Sequence, residues 1–154
     1  MIDKQILVQA ILDELHRQFT GLCSAAEESR AGATDGENRS ESKYDTRSIE
    51  ANYLADGQSR QAEKISLASA ALQVLRLRSF GPGEVAGMGA LVEVQMSEEQ
   101  IWFFLVPAAG GMEVSVDGHV ITLITPEAPL GRQLMGARIG VKTKNPAATV
   151  LQIA

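Results

Sequence analysis

An α+β protein of two small domains is predicted, with an antiparallel helical hairpin over residues 1–79 and a small antiparallel sheet domain carrying one short helix over residues 80–154. Three observations predict it. Apolar residues recur at alternating spacings of four and three through the first quarter of the chain and again between residues 51 and 75, which is the seam of paired helices. Between those seams, EESRAGATDGENRSESKYD over residues 27–45 is almost free of apolar side chains. Beyond Phe80 the texture changes to glycine-rich turns and short alternating runs, the signature of strands.

The first seam runs Val8, Leu12, Leu15, Phe19, Leu22 and Ala26, and Ile6, Leu7 and Ile11 broaden it near its start. A wider apolar stripe has more than one neighbour to meet, so this base is expected to be buried more deeply than the far end. About 28 residues of helix at roughly 1.5 Å each would make an arm of about 40 Å. Gly32, Gly36 and the short polar side chains around them predict a solvated turn, after which Asp45 or Thr46 is placed to cap a second helix. The second seam is Ala51, Leu54, Gln58, Gln61, Ile65, Ala68, Leu72 and Leu75. Two glutamines in it, with Gly57 costing roughly 1 kcal/mol relative to alanine, predict weak packing at mid-helix.

FGPGEVAGMG, residues 80–89, ends all helical pattern and reads as a hinge. ALVEVQM alternates, QIWFFLV is a short buried run, and GMEVSVDGHVITLI sets Asp117-Gly118, a hairpin-turn pair, between two alternating segments. TVLQI is the last strand. Within PEAPLGRQLMGARIG, Leu130, Leu134 and Met135 stand at helical spacing between Pro129 and Gly136, which predicts one short helix.

Fourteen bases against 19 acids give a net charge of −5, a poor starting point for holding nucleic acid through its phosphates. Residues 1–79 carry 12 acids and 10 bases and residues 80–154 carry 7 and 4, so neither half is a basic module by count. A single cysteine, Cys23, excludes an internal disulfide framework and a cysteine-rich zinc site, and with only His16 and His119 as histidines it has no evident catalytic base. No run of roughly 18 apolar residues is present and the N-terminus resembles no signal peptide, so a cytoplasmic, soluble, monomeric protein without cofactor of its own is expected. The glycines of 80–89 lack the strand-to-helix context of a phosphate-cradling loop.

The block EAPLGRQLMGARIG resembles the loop-and-helix signature of the Gre transcript cleavage factors, and ENRSESKYDTRSIEANYLADGQ is similar to that family's hairpin tip, where acids precede a tyrosine and the return helix. The resemblance implies an FKBP-like second domain and a non-enzymatic regulator of transcription elongation that binds bacterial RNA polymerase. It implies a globular domain seated at the rim of the secondary channel and a hairpin tip reaching the catalytic Mg2+, with indirect contact to nascent RNA and no sequence-specific DNA binding. On this reading Glu41, Glu37, Asn38, Asp35 and Asp45 are the tip residues assisting the polymerase, and Glu41 and Glu37 transiently share its Mg2+. Pro129, Leu130, Gly131, Arg132, Arg138 and Tyr44 are the partner-binding residues it implies. The sequence departs from the family at Asn38, which falls where the tip aspartate is expected, at Ala128 in place of serine, and at Val141 in place of aspartate.

Asn38 opens a second reading, a polymerase modulator or inhibitor of the same shape that does not stimulate cleavage. A peptidyl-prolyl isomerase is a further alternative, opposed by Trp102, Phe103 and Phe104 being consecutive on one strand, where alternation sends neighbours to opposite faces. A coiled-coil docking protein for another partner is the last.

Overall fold

The computed structural model describes residues 2–34 and 46–154. Two long helices come first, α1 (Lys4–Thr34) and α2 (Thr46–Gln73). Six strands and a short helix follow: β1 (Leu91–Met96), β2 (Glu99–Leu105), β3 (Glu113–Val116), β4 (His119–Ile124), α3 (Pro129–Leu134), β5 (Lys142–Lys144) and β6 (Ala147–Ile153). By compactness the chain divides into one unit of Met1–Leu12 with Ala70–Ala154 and a second of Asp13–Ser69. The base of each helix thus groups with the sheet.

In the Asp13–Ser69 unit, Leu15, Ala62, Ile65 and Ala68 are buried, while Phe19, Leu22 and Cys23 are half-buried. A solitary helix leaves an isoleucine largely open to water, so these positions are covered by other parts of the chain. Gln61, expected on the seam, is exposed, and its neighbour Ala62 takes the buried place. The physical reason is that a buried glutamine amide without partners costs roughly 1–3 kcal/mol, whereas alanine there preserves the spacing to Gln58 and Ile65 at no such cost. Leu7 and Ile11 are fully buried and Leu15 nearly so, whereas Phe19 and Leu22 are only half-buried, the gradient expected from base outwards. Asp3 starts α1 as its N-cap, its carboxylate accepting the amides of Gln5 at 2.8 Å and Ile6 at 3.4 Å.

The strands form one sheet in the order β3-β4-β2-β1-β6-β5. It is mixed rather than wholly antiparallel, because β2 and β4 run parallel, with Trp102 opposite Ile121 and Leu105 opposite Ile124. After β2 the chain crosses to the edge, forms β3, and returns through a two-residue turn as β4 between β3 and β2. That turn is Asp117-Gly118, with φ of 52° and 78°, the doubly left-handed geometry that the pair favours. The edge strand β5, KTK, carries no apolar residue and no alternating apolar pattern, and sequence reading passed over it.

β2 separates two apolar layers. Phe103 and Leu105 point to one side and pack with Val92, Val94, Val150, Leu130 and Leu134 under α3. Phe104, completely buried, points to the other with Leu91, Ile121 and Leu123 also buried. The alternation expected for the aromatic run is therefore present. The glycine-rich segment is pinned rather than loose: Phe80, Ala86 and Ala90 are buried, Gly89 donates to Leu105 O at 2.8 Å, and Ala86 donates to Ala137 O at 2.8 Å.

Around Phe80 lie two cations. Lys4 Nζ stands 4.7 Å and the Arg78 guanidinium 3.9 Å from the ring centre, and Lys4 Nζ donates to Arg78 O at 2.6 Å. Burial, and secondarily the Arg78 charge, bring the Lys4 pKa from 10.5 down to about 8. Between those two values the unfolded chain retains a proton that the folded chain has released, so stability contributed at Lys4 rises with pH through that window. Denaturant midpoints of wild type and Lys4→Met are thus expected to shift relative to one another in favour of wild type between pH 7.5 and pH 10.5. A difference independent of pH would contradict this account.

Candidate functional site

The block Thr125–Lys144 is built as a rigid platform. α3 begins at Pro129, whose ring presets the first helical φ, and its first turn closes by Arg132 donating to Ala128 O at 2.9 Å. Gly131 is buried against Thr125; a Cβ there would stand 2.0 Å from Thr125 O and 3.1 Å from the Ile124 side chain. α3 therefore approaches the end of β4 more closely than any side chain permits. Gln133 ties the helix to the sheet edge, donating to Asn145 O at 2.8 Å and accepting from the Lys144 amide at 3.0 Å. After α3, Gly136 adopts φ of 81° and donates to Ala86 O, Ala137 plugs the core, and Gly140, with φ of 84°, donates to Val150 O at 2.8 Å.

This framework displays an unusual mixture of side chains. Met135, Ile139 and Val141 are exposed at 37 %, 56 % and 39 %, large apolar groups on a loop whose backbone is pinned at both ends. Met135, expected within the helix, is outside it because α3 ends at Leu134 and the chain leaves in extended conformation at Met135. The same stretch of sequence carries Arg132, Arg138, Lys142 and Lys144, all exposed. These are all four bases of residues 80–154, gathered within 13 positions, and of the seven acids in that half only Glu127 lies near them. Glu127 is held below the usual carboxylate range by the Thr125 hydroxyl, by its own amide, and by the Arg132 charge.

The implied partner-binding residues of this block separate accordingly. Pro129, Arg132 and Arg138 are exposed and available; Leu130 and Gly131 are buried, and their part is to seat α3 rather than to touch a partner. Lys142, Lys144 and Ile139, exposed in the same stretch, were not singled out by sequence reading. Counting charge by halves diluted the signal, which a window over residues 127–147 would have exposed. Asp35, Glu37, Asn38, Glu41, Tyr44 and Asp45 lie outside the described residues.

No protein-family model matches the chain, and no curated protein matches it. Among solved structures it is similar to the GreA factor homolog 1 (Gfh1) of Thermus thermophilus, at 19 % identity over 93 % of this chain and 94 % of that one, with a TM-score of 0.34. Gfh1 of Thermus aquaticus is 20 % identical over 94 % and 92 %, at a TM-score of 0.35. The prokaryotic transcription elongation factor GreA/GreB of Nitrosomonas europaea is 18 % identical over 69 % and 92 %, at 0.32.

Among the described residues no three His, Cys, Asp or Glu side chains converge to hold a metal ion. Cys23 is a free, half-buried thiol on α1, and His119 stands against Trp102 edge to face, the rings 6.1 Å apart. A stretch of sequence that exposes both large apolar side chains and arginines and lysines suits a partner surface that is itself acidic and partly apolar. Lysines on an edge strand also discourage pairing with another chain. That role accounts for Lys142 and Lys144 but leaves Met135, Ile139 and Arg138 unexplained.

Proposed function

We propose that this chain is a transcription elongation regulator that docks on bacterial RNA polymerase through the exposed face of residues 132–144. One observation carries the reading: the segment whose sequence resembles the Gre signature is the segment where the second half of the chain concentrates its bases and displays Met135, Ile139 and Val141 on a pinned loop. The helices α1 and α2 then deliver residues 35–45 into the secondary channel. There Glu41 and Glu37 approach the Mg2+ that the polymerase holds, while the chain contributes no active site of its own. The FKBP-like domain and the domain boundary near residue 80 belong to the same reading.

The double variant Arg138→Glu/Lys142→Glu is expected to bind core polymerase at least about tenfold more weakly, equivalent to about 1.4 kcal/mol, with a shallower salt dependence. Both side chains are exposed, so its thermal midpoint is expected to stay near that of wild type. Affinity measured by fluorescence titration at two salt concentrations checks both points. Unchanged binding would remove the platform from the interface, and absence of polymerase binding by wild type would remove the function itself.

Asn38, neutral where the resembling family places an acid, favours modulation without cleavage. At saturating protein, backtracked elongation complexes are expected to show no factor-dependent shortening of the transcript, and Asn38→Asp is expected to introduce it. Prompt cleavage with wild type would reverse this assignment in favour of a cleavage factor working with Glu41 and a neighbouring acid.

A further inference from the structure

In the unit that joins the first turn of α1 to the sheet, a cavity of about 670 Å³ opens beside Phe80, with Ile2, Pro82, Ile139 and Ile153 as apolar wall and Lys4 and Arg78 as its cations. Its size falls within the few hundred to about 1,000 Å³ of small-molecule sites. The two cations are not equivalent. Arg78 meets Glu84, Nη1 lying 3.0 Å from one carboxylate oxygen and 3.2 Å from the other. Lys4 has one hydrogen bond given to Arg78 O, leaving it two further protons to donate, and the charge acting on it is that same guanidinium. Asp3, the remaining ionisable side chain of the wall, turns its carboxylate to the amides of Gln5 and Ile6, and Ala154 also lines the cavity.

A tie to Arg78 O would be served by any donor. A half-buried ammonium beside a second cation is costly unless an anion joins it, and apart from the Phe80 ring that both cations face, the apolar walls are aliphatic. We propose that this cavity binds a small amphipathic anion, a carboxylate or phosphate monoester whose head meets Lys4 and Arg78 and whose aliphatic body lies against Ile153, Ile139 and Pro82. The cavity shares Ile139 with the docking face of residues 132–144, but the proposal does not rest on polymerase docking, since its binding experiments use the isolated chain.

Octanoate and octyl phosphate serve as probes, with 1-octanol as the body without charge and inorganic phosphate as the head without body. Binding is followed by NMR on the full chain, with the lysines 13C-dimethylated so that the Lys4 signal reports its own ionisation. Saturable binding of octanoate or octyl phosphate is expected, with Kd of about 1 mM or tighter, at least about tenfold weaker binding of both single-feature controls, and a rise in the Lys4 pKa on saturation. Lys4→Met is expected to weaken the anions at least about tenfold and leave octanol unchanged. Gln152→Glu, at an exposed position in the wall, places a competing carboxylate there and is expected to weaken the anions without disturbing the fold. Octanol binding as well as octanoate, equal anion affinity in wild type and both variants, or no saturable binding of either anion would overturn the proposal.

Discussion

Gly131→Ala is expected to destabilise the unit containing the sheet by about 3 kcal/mol, because its new methyl group must displace backbone rather than a flexible side chain. The Cβ would fall 2.0 Å from Thr125 O and 2.9 Å from Thr125 C, inside the contact distance of any pair of heavy atoms. α3 must lift away from the end of β4, and Leu130 and Leu134 lift with it from the core they help to close. At roughly 4–8 °C per kcal/mol for a domain of this size, the thermal midpoint should fall by roughly 12–24 °C. Loss of polymerase affinity should accompany it, since Arg132 rides on the same helix. Gly57→Ala is the internal contrast: nothing lies within 4 Å of a Cβ there, and alanine in mid-helix is expected to add about 0.5–1 kcal/mol. A Gly131→Ala midpoint within a few degrees of wild type would show that α3 has room to shift.

Phe104→Ala should cost about 3–5 kcal/mol, the range for emptying the space of a buried aromatic ring. Phe104 has no exposed surface and sits on β2, a strand hydrogen-bonded on both sides, to β1 and to β4. Its ring lies on the face away from α3, so the platform of residues 132–144 keeps its own packing as long as the unit remains folded. Polymerase affinity measured well below the melting transition should therefore stay near wild type while the urea midpoint falls. A simultaneous collapse of both would mean that the two faces of the sheet are coupled more tightly than their separate cores indicate.

These two residues illustrate how unevenly the fold could be read from the chain. The alternation through Trp102, Phe103 and Phe104 assigns opposite faces to neighbours, and the structure keeps that division. Asp117-Gly118 announces its turn because each residue tolerates positive φ, a property of the residues themselves. Nothing in the composition of Gly131, by contrast, distinguishes it from the glycines that make turns. Its necessity arises from Thr125, six positions earlier, whose carbonyl the folded chain brings beneath it.

The candidate site divides in the same way. Pro129, Arg132 and Arg138 are on the surface, as their polarity or helix-starting role suggests, and the crowding of bases between 132 and 144 is present in the sequence for a window short enough to see it. That Met135 faces water while Leu134 closes the core depends on where α3 stops, one residue short of what periodicity implies.

By itself the sequence determined the succession of elements, the two helices, the alternating strands, the turn at Asp117-Gly118 and the short helix after Pro129, because hydrophobic period and turn chemistry are local properties. Only the tertiary structure decided that β4 lies parallel to β2, that KTK forms an edge strand, that Ala62 rather than Gln61 is buried, and that Lys4 meets Arg78 across 74 positions. Those outcomes depend on which distant surfaces meet, and burial energy is a property of the pair of surfaces rather than of either segment alone.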